Sequence, residues 1–239
     1  MTAKVDVPDF REPDRYKASS YRSYNFKLPL HYDTSIWTKS APLVDRFIIE
    51  QLGPGISSLR ILDVGCATGR FLERLAKAGA TQLFGIDLAP RILEVAAEKL
   101  SKTGTMADLR AADAEDCLPW DDGYFDAITL IGVFHHFFRP KDALSEIRRV
   151  LRPGGRALIF DPCFFPPVRQ ILNAVFQVVP HDGDCRFHSM RAAGRLLAEL
   201  EFEVRQTRRL GWACYLAEGI KPKPECASKC QVLPRGACN

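Results

Sequence analysis

Ile61-Leu62-Asp63-Val64-Gly65-Cys66-Ala67-Thr68-Gly69-Arg70 decides how this chain folds. Apolar residues at Ile61, Leu62 and Val64 surround one acid, Asp63. Two glycines follow, four positions apart, and a helical pattern of apolar residues begins at Phe71. This reads as a strand that runs into a tight turn and opens a helix. Glycine suits such a turn where backbone must approach a ligand closely, because only a residue without Cβ allows it cheaply. The helix N-terminus then offers free N–H groups and partial positive charge. A strand-to-helix turn that binds nothing fits the same residues.

Working outward, the pattern repeats. Apolar residues 83–86 form a second strand that ends in Asp87, and Pro90 suits the first turn of a helix reaching about residue 100. A third strand falls near residues 107–111, a fourth at 125–131 and a fifth at 157–160, the last after a break at Pro153-Gly154-Gly155. Between the last two, Leu144, Ile147, Val150 and Leu151 mark the buried face of a helix over about 141–151. Strands alternating with helices predict a parallel sheet covered on both faces. After a closing helix near 194–200, strand-like runs at 202–208 and 212–216 are separated only by residues 209–211. That gap is too short for a crossover, so the two runs should pair antiparallel. The expected fold is α/β: a Rossmann-like, doubly wound, seven-stranded and mostly parallel sheet with an antiparallel final strand pair.

The chain has 239 residues, 46% hydrophobic and 26% charged, enough for one large core. Its formal net charge of +4 is spread over short pairs such as Arg148-Arg149, so composition calls for no nucleic-acid partner. No apolar stretch approaches the ~18 residues of a membrane span. The first twenty residues have no apolar core of a signal peptide. Eight cysteines without a disulfide-domain spacing suit a reduced, cytoplasmic setting. Residues 1–57 read as an N-terminal cap, with Tyr16, Tyr21, Tyr24, Phe26, Tyr32 and Trp37 available to pack or to cover a ligand, and with a helix at about 41–52. Residues 221–239 read as a tail. The sequence does not speak to oligomeric state.

A dinucleotide site wants G-x-G-x-x-G, but Ala67 and Arg70 occupy its second and third glycine positions. The motif instead resembles motif I of the class I S-adenosylmethionine-dependent methyltransferases, in particular the small-molecule branch that resembles the ubiquinone and menaquinone biosynthesis enzymes. The resemblance covers roughly residues 58–217. It is carried by Leu62, Asp63, Gly65 and Gly69, by Asp87 at the end of strand two, by Asp113-Ala114-Glu115, by Phe125 through His136, and by Glu146 through Gly155. Ala67 departs from it by replacing the middle glycine; if that position needs positive φ, the methyl costs on the order of 1 kcal/mol. The resemblance implies S-adenosylmethionine as cofactor, in contact with Asp63, Gly65, Cys66, Ala67, Gly69, Asp87, Leu88, Asp113, Ala114, Glu115 and Ile131. Asp87 would accept the ribose hydroxyls and the segment after strand three would meet the adenine edge. Each acid has a plainer reading: Asp87 as a helix cap, Asp113 as a turn residue, and Asp63 holding its own turn through backbone N–H groups. Asp126 reads as structural.

For chemistry, His135 and His136 follow strand four at the carboxyl edge of the sheet, where ligands bind, and a neutral imidazole there can take a proton. Either can equally cap a helix or bond backbone. Asp161-Pro162-Cys163-Phe164 resembles only weakly two nucleobase-methylating loops, and Cys163 reads better as a buried thiol. Residues 163–188 form an insertion in which Val168, Ile171, Leu172, Val175, Phe176 and Val179 share one helical face, an apolar lid or an ordinary amphipathic helix. His181, Asp182, Asp184, Cys185 and His188 match no zinc spacing, nor do Cys226, Cys230 and Cys238, so no metal site is expected. The expected function is methyl transfer to a small, partly apolar acceptor. A non-catalytic cofactor-binding or scaffold protein on the same fold is the alternative, and an NAD-dependent oxidoreductase is opposed by the missing glycines.

Overall fold

The computed structural model describes Tyr21, Arg22, Asn25 and residues 41–178, 186–211 and 214–224. Most of the aromatic N-terminal stretch, the 181–185 part of the polar cluster and the cysteine-bearing tail lie outside the described residues.

The elements, in chain order, are α1 (Ala41–Leu52), β1 (Arg60–Val64), α2 (Arg70–Lys77), β2 (Gln82–Asp87), α3 (Pro90–Lys102), β3 (Asp108–Ala111), β4 (Phe125–Ile131), α4 (Pro140–Val150), β5 (Leu151–Pro162), α5 (Pro166–Val178), α6 (Met190–Glu199), β6 (Glu203–Leu210) and β7 (Cys214–Ile220). Among the described residues the strands form one seven-stranded sheet in the order β3-β2-β1-β4-β5-β7-β6. The first five strands are parallel. The switch in strand order at β1, with β2 on one side and β4 on the other, opens a crevice at their carboxyl ends.

Alternate residues of each strand face opposite layers, as the pleat requires. Leu62, Val64, Ile128, Leu130 and Ile159 pack with Leu144 and Ile147 of α4 and with Leu197 of α6. Ile61, Ala127, Leu158 and Leu216 pack on the other side with Ile48 of α1, Phe71 and Leu75 of α2, and Leu93 of α3. Polar clamps fix the layers. Asp126 accepts the Arg60 N–H at 2.8 Å and pairs with Arg152, the structural role the sequence suggests. Arg70, at the start of α2, pairs with buried Asp45 of α1. Arg156 of β5 donates to the carbonyls of Gln51 and Leu52 at the end of α1 at 2.8 and 3.1 Å.

Three expectations need correction. β5 begins at Leu151, not at residue 157: Leu151 pairs with Phe125, the register slips, and pairing resumes at Arg156 with Ala127. Pro153-Gly154-Gly155 is therefore an irregularity inside a strand, with Gly154 at φ +78°. β6 continues to Leu210, so the connection begins at Gly211 and not at Arg209. The final pair is antiparallel as expected, but β7 lies between β5 and β6 and runs against both. α6 also starts earlier than expected, at Met190, because the Ser189 hydroxyl caps it by accepting the Ala192 N–H at 3.1 Å.

Candidate functional site

The turn after β1 is folded back on the end of β2. The Cys66 N–H donates to the Ile86 carbonyl at 2.9 Å, and the Ala67 N–H donates to Asp87 Oδ2 at 3.1 Å. Gly65, Ala67 and Gly69 all have positive φ, at +69°, +47° and +70°. Ala67 therefore holds the conformation that the missing middle glycine would have taken freely, and its methyl is buried with Ala89 and Ile92. The glycines meet different neighbours. A Cβ on Gly65 would lie 2.5 Å from Cγ2 of Val133, whereas one on Gly69 would lie 3.1 Å from Leu100 Cδ1 of α3. Gly69 thus serves helix packing, and Gly65 serves a close approach across the mouth of the turn.

The second oxygen of Asp87 accepts the Ala89 N–H at 3.0 Å. Burial pushes the Asp87 carboxyl up to about 6, while the backbone N–H groups of Ala89, Ala67 and Leu88 pull it down. These bonds leave acceptor capacity on a carboxylate with about four lone-pair sites. Asp63 is buried behind the turn and accepts from the Thr129 hydroxyl of β4 at 2.8 Å. Burial raises it to about 7, against the Thr129 hydrogen bond and the Arg70 charge. That bond runs across the sheet, so Asp63 supports the turn by joining β1 to β4.

A cleft of about 540 Å³, counted with its open mouth, lies at these strand ends. Val64, Gly65 and Ala67 form one wall, Ile86, Asp87 and Leu88 the next, Ala112 and Ala114 the third, and Gly132, Val133, His136 and Phe137 the fourth. Gly65, Ala67, Asp87, Leu88, Ala114 and His136 are thus brought together as expected. Other expected contacts lie elsewhere. The Cys66 side chain points into the core, where a Cβ on Gly85 would come within 2.8 Å of its sulfur. Gly85 is accordingly a required glycine that no motif marks. The Glu115 carboxylate is buried and accepts the Arg139 N–H, tying the segment after β3 to α4. Asp113 Oδ1 accepts the Glu115 N–H at 2.9 Å, an Asx turn that shapes the segment. Ile131 packs with the opposite layer.

The two histidines separate. Phe134–His136 is a 3₁₀ turn directly after β4. His136 faces the cleft. His135 is buried, with Nδ1 2.9 Å from Asp161 Oδ1 at the end of β5. Its ring lies 4.2 Å from the His136 ring and stacks on Phe187 at 5.0 Å with planes 27° apart. His188 lies against Phe134, and burial pushes its imidazole down to about 4. Asp161 as partner of His135 was missed by the sequence reading; an acid ending a strand next to the one that precedes the histidines was the available signal. Cys163 is buried in the core, as expected. On α5, Val168 and Leu172 are half-buried, whereas Ile171 and Val175 are exposed, so only part of its apolar face covers the body. Among the described residues no group of three or more His, Cys, Asp or Glu side chains could hold a metal ion, and no helix is long and apolar enough to cross a membrane.

Sheet order, Gly-rich turn and strand-end acid together make a cofactor-type crevice at the carboxyl edge of a doubly wound sheet. Residues 62–159 match the family described as "Methyltransferase domain". The chain is 37% identical over 120 residues to the demethylmenaquinone methyltransferase of Thermus thermophilus, covering 50% of this chain and 53% of that one. It is 31% identical over 186 residues to the ubiquinone/menaquinone biosynthesis C-methyltransferase UbiE of Azotobacter vinelandii, covering 75% of this chain and 65% of that one. The chain spans about half the length of the first of these. The fold is shared with geranyl diphosphate C-methyltransferase from Streptomyces coelicolor, with a TM-score of 0.70 at 15% identity over 88% of this chain and all of that one.

Proposed function

We propose that this chain transfers a methyl group from S-adenosylmethionine to a small, partly apolar acceptor. The observation that carries the reading is one continuous cleft with a half-buried carboxylate, Asp87, on one wall and an imidazole, His136, on another. The residues present fit the cofactor. Asp87 keeps acceptor capacity for ribose hydroxyls, Ala112 and Ala114 give small apolar walls for a flat ring, and Gly65 leaves the turn without a side chain. When bound, the sulfonium supplies an activated methyl group together with its own leaving group. The chain's part is then alignment, exclusion of water and acceptance of a proton. His136 is the base in this reading, and His135, held by Asp161, stands behind it. Val133 and Phe137 make the acceptor side apolar. The names of these relatives, which concern quinone biosynthesis, support a conjugated, partly apolar acceptor.

Calorimetry against S-adenosylhomocysteine and NAD, followed by an acceptor screen with a labelled methyl donor, tests this. Binding of S-adenosylhomocysteine and not NAD, with label entering a small acceptor, is expected. Binding without transfer to any acceptor would favour a scaffold role, and binding of NAD alone would sink the reading. Four described cysteines, Cys66, Cys117, Cys163 and Cys214, are free thiols, which supports a reduced, cytoplasmic setting.

A further inference from the structure

Phe187 is the hub of an assembly that the cofactor cleft does not include. Its backbone is gripped twice by one side chain of α5: Asn173 Oδ1 accepts the Phe187 N–H at 2.9 Å, and Asn173 Nδ2 donates to the Phe187 carbonyl at 3.1 Å. The reciprocal pair also fixes which way the amide points, since a flip would set donor against donor and acceptor against acceptor. The Phe187 ring lies edge-on to Phe164, just after β5, with centroids 4.8 Å apart. Its face lies on the buried His135 ring, and the preceding residue, Arg186, donates its N–H to the His135 carbonyl at 3.0 Å. His135 in turn lies beside His136, which faces the cleft.

We propose that Asn173 and Phe187 are positioning residues for the His135–His136 pair. The assignment rests on the reading of His136 as the base and deepens it. Asp161 holds one edge of the His135 ring through Nδ1. The Phe187 face lies on the same ring, and Asn173 fixes Phe187. Through these contacts α5 reaches His136, although none of its described side chains lines the cleft. A chain of contacts Asn173–Phe187–His135–His136 makes the seating of α5 and the readiness of the base one structural event.

The test reads the rings directly. In the full-length labelled protein the Phe187 ring shields the His135 ring protons, and Phe187→Leu supplies the unshielded reference. Asn173→Ala is expected to move the His135 ring resonances most of the way to the Phe187→Leu positions, with accompanying shifts of the His136 ring nitrogens, while Phe187→Tyr stays near wild type. His135 resonances at wild-type positions in Asn173→Ala would overturn the proposal. Should Asn173→Ala not fold, Asn173→Asp keeps the acceptor for the Phe187 N–H and loses the donor; a partial shift supports the clamp, and none overturns it. With an acceptor from the screen, Asn173→Ala should lower kcat by about tenfold to a hundredfold, the scale of a small misplacement. KM for S-adenosylmethionine should not change, and Phe187→Tyr should retain kcat. An unchanged kcat in Asn173→Ala would also overturn it. If the wild type fails to bind S-adenosylhomocysteine, the functional reading falls, and the ring resonances still judge the clamp.

Discussion

At the Asp87 end of the cleft the working groups are backbone: the N–H groups of Ala67 and Ala89, the bare Cα of Gly65, and one half-buried acid that organises them. At the His136 end they are side chains, stacked ring on ring and hung from α5 through Asn173. The first kind of site is fixed by turn geometry, tolerates few residues and is hard to retune. The second can be altered by changing one ring or moving one helix. A shared cofactor suits the first construction, and an acceptor that differs among relatives suits the second.

The sharpest way to break the contrast is at Ala67. A β-branched residue at φ +47°, with its side chain buried against Ala89 and Ile92, combines backbone strain with overpacking. Ala67→Val should destabilise the fold by on the order of 2–4 kcal/mol and abolish measurable S-adenosylhomocysteine binding. Thermal unfolding and calorimetry check this, and wild-type affinity in that variant would mean the turn does not approach the cofactor.

Asp87→Ala is next, with a loss of about 1–3 kcal/mol in S-adenosylhomocysteine affinity. The proposed ribose contact would need the ionised acid, so affinity should fall as pH drops through about 6, the value to which burial raises Asp87. Folding stability moves the other way. A carboxyl whose folded value lies above its ordinary 3.8 binds protons more readily in the native state, so stability declines as pH rises from 3.8 to about 6 for Asp87 and to about 7 for Asp63. Asp87→Asn should flatten the binding profile. A slope unchanged in that variant would assign the titration to another group.

A smaller effect is expected at Gly65. Gly65→Ala adds a methyl at φ +69° and pushes Val133, which should cost about 1 kcal/mol in backbone strain and weaken cofactor binding further through Val133. Adding Val133→Ala should restore the second part and not the first. Equal affinities in the single and double variants would show that Val133 yields freely. Ala67→Gly should change stability least. Relief of positive φ, about 1 kcal/mol, opposes the loss of one buried methyl, about 0.8 kcal/mol. A stability change well beyond their difference would mean that one of the two was misjudged.

The same contrast explains what could be read from the sequence. The cofactor wall is punctuated locally: Gly65, Gly69 and Asp87 sit at strand ends, where residue type alone signals a turn or a ligand. His135 meets Asp161 26 residues away, and Asp63 meets Thr129 66 residues away. Such pairs depend on which strands become neighbours, which periodicity does not report. The Asn173 grip on Phe187 has no motif at all, because any amide on that turn of α5 would look the same in sequence. The motif positions of Cys66 and Glu115 do not reveal that the Cys66 side chain packs into the core and that the Glu115 carboxylate accepts the Arg139 N–H. The length of β5 was hidden by Pro153-Gly154-Gly155, residues that ordinarily end a strand and here form its bulge.

The place of β7 in the sheet carries a consequence for how the protein is made. β7 follows every other described strand, yet it fills the slot between β5 and β6. During synthesis, β5 leaves the ribosome with an open edge of unpaired N–H and C=O groups running from Arg156 to Pro162, and β6 emerges with nothing to pair with. Both wait for Cys214–Ile220, so the nascent chain has an interval in which it can add a strand from another molecule. A holdase that covers this edge until the last strand arrives would raise the yield of folded protein more than one acting after release.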